Sequence, residues 1–184
     1  MQAVIKEAEG RMQSGIEALT REFGGLRTGR ASTGLLEGIR VDYHGTPSPI
    51  NQVASVSVPD PRTLVIQPWE PGLLAIIEKA IMKSDLGLTP VNDGRVIRLV
   101  IPPLTEERRK QLAKASGKLA EEARVAVRNI RQEANKRIKA LEREKKISED
   151  ESRRGLEQVQ KLTDRFIQQV DELLKKKEQE ILRF

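Results

Sequence analysis

All nine prolines of this 184-residue chain fall between Pro47 and Pro103, and long stretches on either side contain none. Proline lacks a backbone N–H and its ring clashes with the preceding helical turn, so a long helix persists only where prolines are absent. Residues 1–29 and 105–184 are rich in Glu, Lys, Arg, Gln and Ala, whereas the strand-like runs accompany the prolines. The chain therefore reads as a helical module, residues 1–30 plus 105–184, with a separate module, residues 31–104, inserted into it.

The proline-free segments carry three helical periodicities. In the first, Ile5, Ala8, Met12, Ile16, Leu19, Phe23 and Leu26 recur at steps of three and four. The second runs from Thr105 to Lys146, with Leu112, Ala115, Leu119, Ala123, Ala126, Ile130, Ala134, Ile138 and Leu141 on one face. At 1.5 Å per residue its length is roughly 60 Å. The third shows Leu156, Val159, Thr163, Phe166, Val170, Leu173, Lys177 and Ile181. It begins after Ser148, a good N-cap, with Glu149, Asp150 and Glu151 in the first turn to complement the helix dipole. No single helix can hide its stripe alone. Mutual packing into a long antiparallel three-helix bundle is the economical solution, with both connections to the insert, near Arg30 and Leu104, at one end.

The insert reads as a small β/α/β sandwich. Ile39–Tyr43, Ala54–Val58, Thr63–Gln67 and Val96–Ile101 have strand character. His44-Gly45, the segment from Pro59 to Arg62, and Asn92-Asp93-Gly94 are turn signals. Residues 72–84 form one amphipathic helix. The whole is an α+β chain.

Composition narrows the function classes. With 33% charged residues and 3% aromatics, the chain is too polar for one deep core but suits helices that each bury a stripe. A net charge of +6 favours an anionic partner. No apolar run approaches the roughly 18 residues of a spanning helix, and the N-terminus lacks a signal-peptide core, so a cytoplasmic protein without a membrane partner is expected. The absence of cysteine excludes thiol nucleophiles and thiolate zinc sites. The only histidine, His44, reads as a turn residue. The Gly24-x4-Gly29 spacing imitates a phosphate-binding loop, but Arg30 replaces the lysine, Ala31 replaces the hydroxyl, and the segment follows a helix. Gly29 reads instead as the C-cap of the first helix. No catalytic residue, metal ligand or cofactor is expected.

The charge pattern is more informative. Arg124, Arg128, Arg131, Asn135 and Lys139 follow one another at steps of three and four, on a single stripe of the second helix. Fourteen Lys or Arg stand against seven Asp or Glu between Thr105 and Lys146, and this middle stretch looks short of matching acidic partners. Such a run serves either as a solvated helical face or as a phosphate-docking edge. Arginine at the aligned positions favours the latter, because its planar fork matches phosphate oxygens. Trp69 reads as core or module surface, since no second aromatic accompanies it to build a stacking platform.

Several segments together resemble the ribosome recycling factor family. They are LRTGRAS at 26–32, YHGTPSPINQVASV at 43–56, RTLVIQPW at 62–69, IEKAIMKSDLGLTP at 77–90, IPPLTEERRK at 101–110, ARVAVRNIRQEAN at 123–135 and KKISEDE at 145–151. The resemblance implies an L-shaped molecule whose long arm is the bundle and whose short arm is the inserted module. It implies a non-enzymatic factor that binds the large ribosomal subunit, with its 23S rRNA, after termination. With elongation factor G and GTP hydrolysis, such a factor splits the spent ribosome into subunits and frees mRNA and tRNA. It marks Arg128 and Arg131 as rRNA contacts, with Arg27 and Arg30 as further candidates beside Arg124 and Lys139 of the stripe. It marks Arg30, Ala31, Ser32, Thr33 and Pro102, Pro103, Leu104, Thr105 as the hinge, and it implies a bacterial monomer. The competing expectation is a basic structural or chaperone-like bundle without ribosome binding.

Overall fold

The computed structural model describes residues 1–183; Phe184, which the expected helical module includes, lies outside the described residues. From the N-terminus the elements are α1 (Gln2–Gly24), a 3-10 turn (Thr33–Leu36), β1 (Arg40–Tyr43), β2 (Thr46–Pro49), α2 (Ile50–Val53) and β3 (Ala54–Asp60). There follow β4 (Thr63–Pro68), α3 (Leu73–Lys83), β5 (Val91–Asn92), β6 (Ile97–Val100), α4 (Glu106–Arg143) and α5 (Glu149–Arg183). They form two compact units, Met1–Thr28 with Thr105–Arg183, and Gly29–Leu104.

The first unit is the three-helix bundle. Arg124 of α4 meets Asp171 of α5, and Ile138 of α4 lies beside Gly155, so numbers rise on α4 as they fall on α5. Glu7 and Arg11 of α1 pair in the same antiparallel sense with Arg137 and Glu133 of α4. Met12, Leu19, Ile138, Val159 and Phe166 fill the interior. Each such side chain contributes about 1.5–3 kcal/mol on burial. Ser116 and Thr163 are buried too, and their hydroxyls donate to the carbonyls of Leu112 and Val159 one turn back, at 2.9 and 2.8 Å.

Both long helices start on a cap. The Thr105 hydroxyl accepts from Arg108 N at 3.1 Å, ahead of Glu106 and Glu107. At α5 the Ser148 hydroxyl accepts from Glu151 N, while the Glu151 carboxylate accepts from Ser148 N at 2.7 Å. This reciprocal pair satisfies two N–H groups that have no partner within the helix.

Two expectations need correction. The α4 seam buries Ser116, Ala120 and Val127, while Ala126 is exposed. Both registers use steps of three and four, and the larger Val127 removes more apolar surface from water than an alanine can. Helix α1 stops at Gly24, with Gly25 N–H closing on the Arg21 carbonyl, so Gly29 is not its cap. The consecutive glycines are weak helix formers and end the helix first. Gly29 instead takes φ +74° against Leu104, whose Cγ would stand 2.9 Å from a β-carbon built there.

The second unit holds a four-stranded antiparallel sheet of order β3-β4-β6-β5 and a β1-β2 ribbon. Leu64 and Ile66 of β4 pair with Leu99 and Ile97 of β6, and all four are fully buried. They pack with Ile77 and Ile81 of α3 and Ile50 of α2. Thr63 and Val65 alternate onto the opposite face with Arg98 and Val100. His44 and Gly45 have φ of 51° and 81°, the conformation of a two-residue hairpin turn, and join β1 to β2. Asn92 and Asp93 side chains accept from Gly94, Arg95 and Val96 N–H groups and close the β5–β6 turn.

Candidate nucleic-acid interface

The stripe of α4 is held in place by the seam beneath it, since Val127, Ile130, Ala134 and Ile138 fix which face turns outward. Its arginines differ sharply in surroundings. Arg124 retains only 20% of its side-chain exposure. Its Nε and Nη2 both donate to Asp171 Oδ1, at 2.9 and 2.7 Å, and its Nη1 donates to Glu121 Oε2 at 3.0 Å. Arg128 is more open, and its Nη1 donates to the other oxygen of Glu121 at 3.3 Å. These bonds, from Arg124 first and Arg128 second, hold the Glu121 carboxyl below its ordinary pKa.

The apparent shortage of acidic partners therefore does not hold at this end of the stripe. Asp171 comes from α5, and a charge count along one helix cannot see it. Two arginines and two carboxylates make a neutral cluster there. Farther along, Arg131 is half-buried and Lys139 exposed, and neither makes an ion pair or side-chain hydrogen bond with the described residues. Other charges of the bundle are also engaged between helices, Arg137 with Glu7 and Arg165 with Glu9. The positive charge of the stripe is thus concentrated at Arg131 and Lys139, and Asn135 lies between them with its Oδ1 buried and without a hydrogen-bond partner among the described residues.

Arg27 and Arg30 are exposed in the irregular segment after α1. The other expected hinge residues are more firmly placed than the sequence suggests. Ala31 is buried, and its N–H donates to the Pro61 carbonyl at 2.7 Å. The Ser32 hydroxyl accepts from Gly34 N, and Thr33 opens the 3-10 turn. Pro102 and Pro103 are exposed, Leu104 covers Gly29, and Thr105 caps α4.

Among the described residues no group of acidic, histidine or cysteine side chains is arranged to hold a metal ion. The His44 ring sits edge-on to Tyr43 with centroids 4.4 Å apart, in its turn. Trp69 is 66% exposed on the surface of its module, a placement that a lone aromatic in the sequence does not decide. No described helix is long and apolar enough to cross a membrane.

These features define a basic three-helix-bundle protein with an inserted α+β module and an arginine-bearing stripe as its most distinctive surface. Residues 19–182 match the family model for ribosome recycling factor. The ribosome-recycling factor of Carboxydothermus hydrogenoformans is 62% identical over 182 residues, covering 99% of this chain and 98% of that protein. A solution structure of ribosome recycling factor matches with TM-score 0.79 at 46% identity, covering 100% of this chain and 97% of the other. A second structure matches with TM-score 0.66 at 51% identity over 98% of each chain. It is described as models of the T. thermophilus ribosome recycling factor and the E. coli elongation factor G bound to the E. coli post-termination complex. The chain belongs to the ribosome recycling factor family, a family of translation factors and not of enzymes.

Proposed function

We propose that this chain docks on 23S rRNA of the large ribosomal subunit through the α4 stripe. There, with elongation factor G and GTP hydrolysis, it separates the post-termination ribosome into subunits and releases mRNA and tRNA. The observation that carries the docking surface is Arg131, whose guanidinium has no carboxylate to answer it among the described residues, on a stripe where the neighbouring arginines are neutralised. Arg128 and Lys139 extend the edge, and Arg27 and Arg30 add charge in the segment after α1. Support for the partners comes from the solved relative described on a post-termination complex with elongation factor G.

The two chain passages, Arg30 to Thr33 and Pro102 to Thr105, serve as the hinge in this reading. Ala31 and Ser32 are tied into the inserted module and Thr105 into α4, and these anchored residues bound the pivot in this reading. The factor acts as a monomer in the bacterial cytoplasm.

The neutral Arg124–Asp171–Glu121–Arg128 cluster also suits the alternative of a purely structural bundle face. Co-sedimentation with purified large subunits separates the two. The proposal expects the protein in the ribosomal pellet, released as salt rises. A protein that stays in the supernatant at low salt would leave only the structural reading.

A further inference from the structure

Lys114, Glu121, Arg124, Arg128, Arg131 and Lys139 lie along one line of α4, and Glu121 is the only carboxylate among these six. It is not a remote counterion. One of its oxygens accepts from Arg124 at 3.0 Å and the other from Arg128 at 3.3 Å, so both ends of the carboxylate are occupied. Arg124 does not need it for neutrality, because Asp171 already takes Nε and Nη2. Arg128 does need it, having no other carboxylate partner among the described residues.

A carboxylate and a phosphate compete for the same guanidinium N–H groups. From this geometry we infer that Glu121 is a specificity-determining residue that occupies Arg128 in place of a phosphate and yields it only to a correctly placed one. The inference rests on the docking reading above. A phosphate that takes Arg128 Nη1 must displace Glu121 Oε1, and one bound through the remaining guanidinium N–H groups still meets the repulsion of that carboxylate. Loosely tracked RNA backbone lacks the remaining contacts to offset that repulsion, whereas a surface that also engages Arg131 and Lys139 has them. Discrimination by a repulsive element is a general device of selective interfaces.

The test compares wild type, Glu121→Gln, Glu122→Gln and Arg131→Ala for binding to purified large subunits and to a short RNA duplex of unrelated sequence, across a salt series. Gln keeps a carbonyl that can accept from Arg124, and matching thermal melts check that the bundle is intact. Glu122 is the adjacent exposed carboxylate, off the line and without an ion-pair partner among the described residues, so it supplies the same charge change elsewhere. Glu121→Gln is expected to tighten duplex RNA binding by about two- to fivefold, and to tighten large-subunit binding by less. Its log–log salt slope should steepen by up to about 0.9. Glu122→Gln should do neither. Unchanged or weaker duplex binding by Glu121→Gln, or an equal gain from Glu122→Gln, would overturn the inference. Failure of the docking reading has a separate signature: Arg131→Ala would bind large subunits as wild type does, and the inference would fall with it.

Discussion

Arg124 of α4 places two N–H groups, Nε and Nη2, on a single oxygen of Asp171 in α5, at 2.9 and 2.7 Å. The pair fastens two helices whose contacting residues lie 47 positions apart in sequence. Its guanidinium is largely enclosed, so the bond is less screened than an exposed pair. A double-mutant cycle of Arg124→Ala and Asp171→Ala, followed by urea unfolding, should return a coupling of about 1 kcal/mol. Additive single effects would mean that the pair contributes nothing beyond its parts.

Gly29 carries two constraints at once. Its φ of +74° disfavours any L side chain, and Leu104 Cγ blocks the space a β-carbon would take. Gly29→Ala should therefore destabilise by about 2 kcal/mol. Leu104→Ala in the same chain should recover the steric share and leave the backbone share. Chemical denaturation of the two variants, each against its own parent, reads this directly.

At the start of α5 the Ser148–Glu151 exchange should account for a measurable part of helix stability. Ser148→Ala is expected to cost about 1 kcal/mol at neutral pH. The Ser148 backbone N–H, and then its hydroxyl, hold the Glu151 carboxyl below the ordinary value of 4.5. A depressed carboxyl pKa means stability that is present above the unfolded-state value and lost as pH falls through the folded one. Glu121 and Glu133 shift in the same direction through Arg124 and Arg11. The melting temperature should thus stay level above about pH 5 and fall below it. The fall should be shallower in Glu151→Gln.

Much of the fold was legible because its signals are local. The seams of α1 and α5, the cap at Ser148, and the His44-Gly45 turn all follow from residues within a few positions of one another. Strand β2 is not legible in the sequence, because Pro47 and Pro49 argue against a strand. They are tolerated because β1 and β2 form only a two-stranded ribbon. Their partners there are Asp42 and Arg40. A proline without an N–H fits the wide pairs of such a ladder. The two-residue β5 is too short to show a period. Spacing alone does not choose between the adjacent apolar residues Ala126 and Val127, of which the structure buries Val127. Within the candidate interface, the stripe itself was readable from spacing. The neutralisation of Arg124 is not, because Asp171 reaches it from another helix, and nothing in its spacing distinguishes Glu121 from the other acids of α4.

The central claim is that α4 meets rRNA through Arg131, and the most direct measurement is the salt dependence of large-subunit binding by wild type and Arg131→Ala. The side chain makes no ion pair with the described residues, so its removal should leave the melting temperature nearly unchanged. Binding should weaken, and the log–log salt slope should become shallower by roughly 0.7–0.9 for one lost phosphate contact. Equal affinity and equal slope in the two proteins would contradict the account.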